Sequence, residues 1–114
     1  MFSGLVIRGD GIGRSIGYPT ANIDIPAEKT NLNDGVYAAR ATVFGKTYAS
    51  ALVIQHQVKK VEVYMLGYDG VDCYGIQMSV DPIQKVSEIE EKDGDELIKK
   101  IARDIELVKE VLNV

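Results

Sequence analysis

The hydrophobic period changes once along this chain of 114 residues. From Leu97 on, Ile98, Ile101, Ala102, Ile105, Val108, Val111 and Leu112 recur at helical spacing, and Lys99, Lys100, Asp104, Glu106, Lys109 and Glu110 fill the other face. Asp93-Gly94-Asp95-Glu96 just before them sets an Asp three residues ahead of a Glu, a helix-start signal. Upstream the apolar residues come in short β-type runs: Phe2–Ile7, Val36–Phe44, Thr47–Ile54, Val61–Leu66 and Tyr74–Val80. Gly45-Lys46 gives a tight turn, and Gly67, Asp69-Gly70 and Asp81-Pro82 punctuate the remaining ends. Short strands with hairpin-length gaps predict an antiparallel barrel or sandwich. The single helix must lie on that β structure, because its apolar stripe has nowhere else to go.

One domain, residues 1–114, accommodates this length. A net charge of −4 argues against a nucleic-acid partner held by bulk electrostatics, while leaving room for a small anion bound by local groups. Cys73 is the only cysteine and His56 the only histidine, which excludes an internal disulfide and a paired-histidine zinc site; both residues read as structural. With no leader and no apolar run of membrane-spanning length, a cytoplasmic protein without a membrane partner is expected, acting as a monomer.

Residues 9–26, GDGIGRSIGYPTANIDIP, are the unusual stretch. Gly9, Gly11, Gly13 and Gly17 surround Arg14, yet the spacing fits neither a Walker loop nor a dinucleotide fingerprint, and Pro19 opposes helix entry. Such glycines let backbone amides approach an anion, and Arg14 adds a guanidinium fork for phosphate oxygens. A plain β–β connection is the rival reading. Pro19 stiffens the exit from the loop. Thr20 and Asn22, two apart, share a face in extended backbone and offer hard neutral oxygens suited to Mg²⁺. An Asx or Ser/Thr turn would use the same residues.

Gly13-Arg14-Ser15-Ile16-Gly17-Tyr18-Pro19-Thr20-Ala21-Asn22 resembles the signature of the riboflavin kinase (flavokinase) family, Gly-Arg-x-Leu-Gly-x-Pro-Thr-Ala-Asn. Asp34–Ala38 is similar to the family's Gly-Val-Tyr segment, Val61–Tyr64 to its glutamate-bearing strand, and Asp72–Gly75 to its Asp-Leu-Tyr-Gly turn. Leu97–Leu112, with Asp104, is similar to its closing helix. The resemblance implies a mainly β fold, a six-stranded antiparallel Greek-key split barrel with the C-terminal helix packed outside. It implies transfer of the γ-phosphoryl of ATP to the 5′-hydroxyl of riboflavin, giving FMN and ADP, with Mg²⁺ as cofactor. It assigns Glu62 as catalytic base, and Gly9, Gly11, Gly13, Arg14, Gly17, Pro19 and Thr20 to the nucleotide. It gives Thr20 and Asn22 to the metal and Glu88 to the flavin side. A flat, apolar flavin ring would also suit an aromatic wall, for which Tyr37 and Tyr64 are the candidates, although tyrosines on β-strands more often simply pack.

The chain departs from the pattern in two places. Leu52–Lys60 lacks the family's Asn-Ile-Gly and Pro-Thr, and in Lys85–Glu91 the family's Leu-Arg-x-Glu-x-x-Phe has Val86 at the Arg and Glu91 at the Phe. With Met1 directly before the first strand, no adenylyltransferase domain is expected, hence no FAD synthesis. A relative that binds nucleotide or flavin without catalysis, and a purely structural barrel, are the alternatives.

Overall fold

A computed structural model describes residues 1–9, 17–69 and 72–114. Six strands, β1 (Phe2–Ile7), β2 (Ala21–Ile23), β3 (Gly35–Val43), β4 (Lys46–Gln55), β5 (Lys60–Met65) and β6 (Gln77–Ser87), are followed by helix α1 (Gly94–Leu112). A 3₁₀ turn, Ala27–Thr30, bridges β2 and β3. The strands close a barrel in the order β1-β2-β5-β4-β3-β6, every pairing antiparallel. Two Greek keys overlap in it, since the β3-β4-β5 meander is flanked by β2 on one side and β6 on the other.

Alternation decides what fills the barrel. On β5, Val61, Val63 and Met65 point inward and join Val6, Ile23, Leu52, Ile54, Met78 and Val80 in one core. The β3–β4 hairpin turns on two residues, Phe44 at φ 53° and Gly45 at φ 75°, between the paired Val43 and Lys46. Positive φ at both positions is what a twist-matched hairpin requires. The turn therefore falls one residue earlier than the Gly45-Lys46 that the sequence suggests.

Two strands differ from the sequence pattern. The three-residue β2 is too short to show a period, yet Ala21 and Ile23 face the core while Asn22 faces out. The last strand is not Tyr74–Val80; it starts at Gln77 and runs through Asp81-Pro82 to Ser87. Pro82 is tolerated because pairing with β1 ends at Phe2↔Val80, leaving that edge of β6 without a partner strand among the described residues, and because the β3 register shifts between Ala38 and Ala39 beside it.

The helix lies on the outside of the barrel. Val108 and Leu112 pack on Ala38 and Ala51, small side chains that let the helix come close, with Ala49, Tyr64, Val86 and Val111 around them. Asp93 is the N-cap but makes no side-chain capping bond; Asp95 and Glu96 in the first turn and Lys109 in the last suit the helix dipole. Lys100 and Asp104, which the periodicity assigns to the solvent face, are only 5 % and 6 % exposed. Lys100 Nζ donates to Ser87 Oγ (3.0 Å) and to Asp104 Oδ2, and Ser87 Oγ donates to Asp104 Oδ1 at 2.7 Å. This closed set of bonds ties α1 to the end of β6. No helix among the described residues is long and apolar enough to cross a membrane.

Candidate active site

Between the first half of α1 and the outer wall of the barrel lies a cleft of about 360 Å³. Val36, Ala51, Val53 and Tyr64 line it from the strands, and Leu97, Ile101 and Ile105 from the helix. Its polar groups include Thr20, Gln55, Lys60, Glu62, Glu90, Lys100 and Asp104. A mostly apolar slot with a few convergent polar groups is the usual form of a small-molecule site.

Glu62 stands in this cleft because of its parity. Its neighbours Val61 and Val63 face the core, so its carboxylate projects from the outer face, where a surface residue would be expected; overhead cover from the cleft instead leaves it only 9 % exposed. Thr20 Oγ1 donates to Glu62 Oε2 at 3.1 Å, and Lys60 Nζ lies 3.6 Å from Oε1. On the adjacent strand Asn22 is the direct cross-strand partner of Glu62. Thr20, Asn22 and Glu62 thus come together on one outer face, brought there by the pairing of the short β2 with β5.

A second cavity of about 250 Å³ opens at the barrel mouth. It is lined by Pro19, Thr20, Ala21, Tyr68, Asp72 and Tyr74 among others, and it shares Thr20 and Tyr64 with the first. Thr20 and Tyr64 therefore form part of the wall of both. Cys73 lines the second one; burial pushes its thiol above the ordinary value.

Among the described residues no group of three or more His, Cys, Asp and Glu side chains converges. A cation here would rest on Thr20, Asn22 and one carboxylate, an all-oxygen set that suits Mg²⁺ keeping part of its water. The Thr20 hydroxyl gives its single proton to Glu62, so its lone pairs remain available as a neutral donor.

The other predicted residues divide. Tyr64 lines the cleft and meets the Tyr18 ring edge-on, centroids 5.7 Å apart. Tyr37, expected beside it, is turned the other way: it pairs with Leu52, lies in the barrel core and donates its hydroxyl to Asn33 O at 2.8 Å. Glu88 is exposed in an ion pair with Lys85 (2.7 Å) and does not line the cleft, although Ile89 to Lys92 do. Gly9 and Gly17 flank the glycine loop, whereas Gly11, Gly13 and Arg14 lie outside the described residues. His56 is structural in the described fold: its backbone N–H donates to Asp34 Oδ1 at 2.8 Å and its ring bonds Leu32 O at 2.7 Å. Sequence reasoning missed Tyr18, Lys60 and Lys100; Tyr18 sits inside the glycine–proline signature, and only its side-chain direction shows what it lines.

Comparison with known proteins points the same way. The family model for riboflavin kinase matches residues 1–112. A bifunctional riboflavin kinase/FMN adenylyltransferase of Buchnera aphidicola (subsp. Schizaphis graminum) is 31% identical over 98% of this chain and 38% of its own length. The RNA-binding riboflavin kinase RibR of Bacillus subtilis is 29% identical over 95% of this chain and 49% of its own. The chain thus spans between about two-fifths and one-half of these relatives. Among solved structures, the fold is similar to riboflavin kinase from Trypanosoma brucei, with a TM-score of 0.75, 21% identity, and coverage of 97% of this chain and 75% of that one. It is similar also to a macrolide-efflux protein from Streptococcus pneumoniae, with a TM-score of 0.78, 24% identity, and coverage of 94% and 37%. With the family model matched over residues 1–112 and the six-stranded barrel and outer helix in place, the chain belongs to the riboflavin kinase family.

Proposed function

We propose that this chain is a riboflavin kinase, moving the γ-phosphoryl group of ATP to the 5′-hydroxyl of riboflavin and releasing FMN and ADP. One observation supports it above the others: Thr20 lines two cavities, and the Glu62 carboxylate stands in one of them, bonded to that hydroxyl. A two-substrate transfer needs this layout, with an acceptor on one side, a donor on the other and a base at the junction.

In this reading the flavin ring lies in the helix-side cleft, against Val53 and Tyr64 on one wall and Ile101 on the other. Its ribityl chain reaches toward Glu62. The nucleotide occupies the mouth chamber, with Pro19 and Thr20 beside it and Gly9, Gly11, Gly13, Arg14 and Gly17 contributing to its phosphates on the strength of the sequence pattern. Thr20 and Asn22 hold Mg²⁺, which supplies neutralisation of phosphate charge when bound. Glu62 accepts the proton of the 5′-hydroxyl as the oxygen–phosphorus bond forms and the bond to the ADP oxygen breaks. Lys60 and the Thr20 hydroxyl fix the two carboxylate oxygens, so the base is aimed before substrate arrives.

Incubation with riboflavin, ATP and Mg²⁺, followed by chromatography, tests the reading. FMN is the expected product; no FMN with any nucleoside triphosphate overturns it. One observation favours binding without transfer: Val86 stands where the family pattern carries an arginine, and it packs under α1. Quenching of flavin fluorescence on titration, with no product formed, would select that second reading.

A further inference from the structure

Gly9 differs from most of the described glycines in why it has to be glycine; Gly4 alone shares with it an ordinary φ and a crowded Cβ position, there 2.8 Å from Ile23 Cγ2. Gly17, Gly45, Gly67 and Gly75 have positive φ (92°, 75°, 75° and 79°) and open space where a Cβ would go. Those positions need glycine for its backbone. Gly9 is not among the positive-φ residues, so an L side chain meets no backbone obstacle there. What it meets is Asn22. A Cβ on Gly9 would lie 2.0 Å from Nδ2, 2.3 Å from Cγ and 2.6 Å from Oδ1 of Asn22. All three atoms of the carboxamide lie across the bare α-carbon.

The topology explains the contact. Ile7, the last residue of β1, is the register partner of Asn22 on β2, and Gly9 follows two residues beyond that strand end. The colliding atoms are the far end of a side chain, so a Cβ would leave the strands where they are and push the carboxamide aside.

We infer that Gly9 is a positioning residue for Asn22: its bare α-carbon seats the carboxamide, and so aims the oxygen that meets the metal. This goes beyond the amide-to-phosphate role that its place in a glycine loop suggests. The metal half of the inference rests on the function proposed above; the seating half does not.

The experiment is Gly9→Ala, alone and with Asn22→Ala. In the single variant the Asn22 side-chain NH₂ cross-peaks in a ¹H–¹⁵N spectrum should move, with the backbone amides of β1, β2 and β5 nearly unchanged. The Mg²⁺ concentration for half-maximal FMN formation should rise about 10-fold or more, as when a group that orients a metal ligand is lost. Melting temperature closes the cycle: Gly9→Ala lowers it in the parent and has no effect once Asn22→Ala has vacated the space. Unmoved Asn22 cross-peaks, or the same melting shift in both backgrounds, overturn the inference. A parent protein that makes no FMN overturns the proposed function instead, while the cross-peaks and the melting cycle still decide the role of Gly9.

Discussion

The two faces of the barrel wall do different work. Inside, β5 contributes Val61, Val63 and Met65 to a core with Leu52 and Met78, both without exposed surface. Outside, the same strand contributes Glu62 and Tyr64, and α1 covers them only in part, leaving a cleft of about 360 Å³. A barrel of six strands has no interior space to give to a ligand; side chains fill it. Chemistry has to be placed on the outer wall, and a helix laid over that wall turns surface positions into a site. Along α1 the same division repeats. Val108 and Leu112 close down on alanines, while Leu97 and Ile101 stand back as a cleft wall.

The contrast can be broken deliberately. Glu62→Gln, on the outer face, should cut FMN formation by about 10²–10⁴-fold with little change in melting temperature, since only the proton acceptor is lost. A variant that keeps activity while Glu62 is neutral would remove the base from the account. Lys100→Ala should cost about 3–5 kcal/mol in denaturant unfolding, because it strands Asp104 buried beside Ser87; Lys100→Met with Asp104→Leu should restore most of it. On the inner face, Leu52→Ala should cost about 2–5 kcal/mol of stability and leave the riboflavin KM unchanged in the folded fraction. If that core variant altered KM as strongly as a cleft variant, the two faces would not be separate.

Much of this was legible from residues alone, for identifiable reasons. The period change near Asp93 places the helix, and parity on Val61-Glu62-Val63 sends the carboxylate away from the core whichever face binds ligand. Thr20 and Asn22 share a face because they are two apart in extended chain. Other features depend on partners distant in sequence. Alternation fixes that Val36 and Tyr37 point to opposite faces, but only the barrel closure says that Tyr37 is the inward one. Lys100 and Asp104 carry charges that a helical pattern assigns to solvent, and their burial comes from Ser87, thirteen and seventeen residues away. Pro82 reads as a strand end because the loss of a partner on one edge of β6 cannot be seen locally.

The smallest expected effect concerns Cys73. Burial raises its thiol above the ordinary value of 9.0, and neighbouring Asp72 adds to the rise. The folded chain then holds the thiol proton more tightly than the unfolded chain does. Stability is at its full value below pH 9.0 and falls as the pH climbs through that value toward the raised folded one. Alkylation at neutral pH should be slow in the native protein and fast in denaturant. Fast native alkylation would show that the mouth chamber does not shield the sulfur.

The outer-face account is tested most directly by intermolecular nuclear Overhauser contacts in the riboflavin complex. Contacts are expected from the isoalloxazine protons to the methyl groups of Ile101 and Ile105 and to the Tyr64 ring, and none to Leu52 or Met78. Bound riboflavin with no contact to Ile101 or Ile105, or with its ring against the exposed Leu5 and Ile7 of β1, would contradict it.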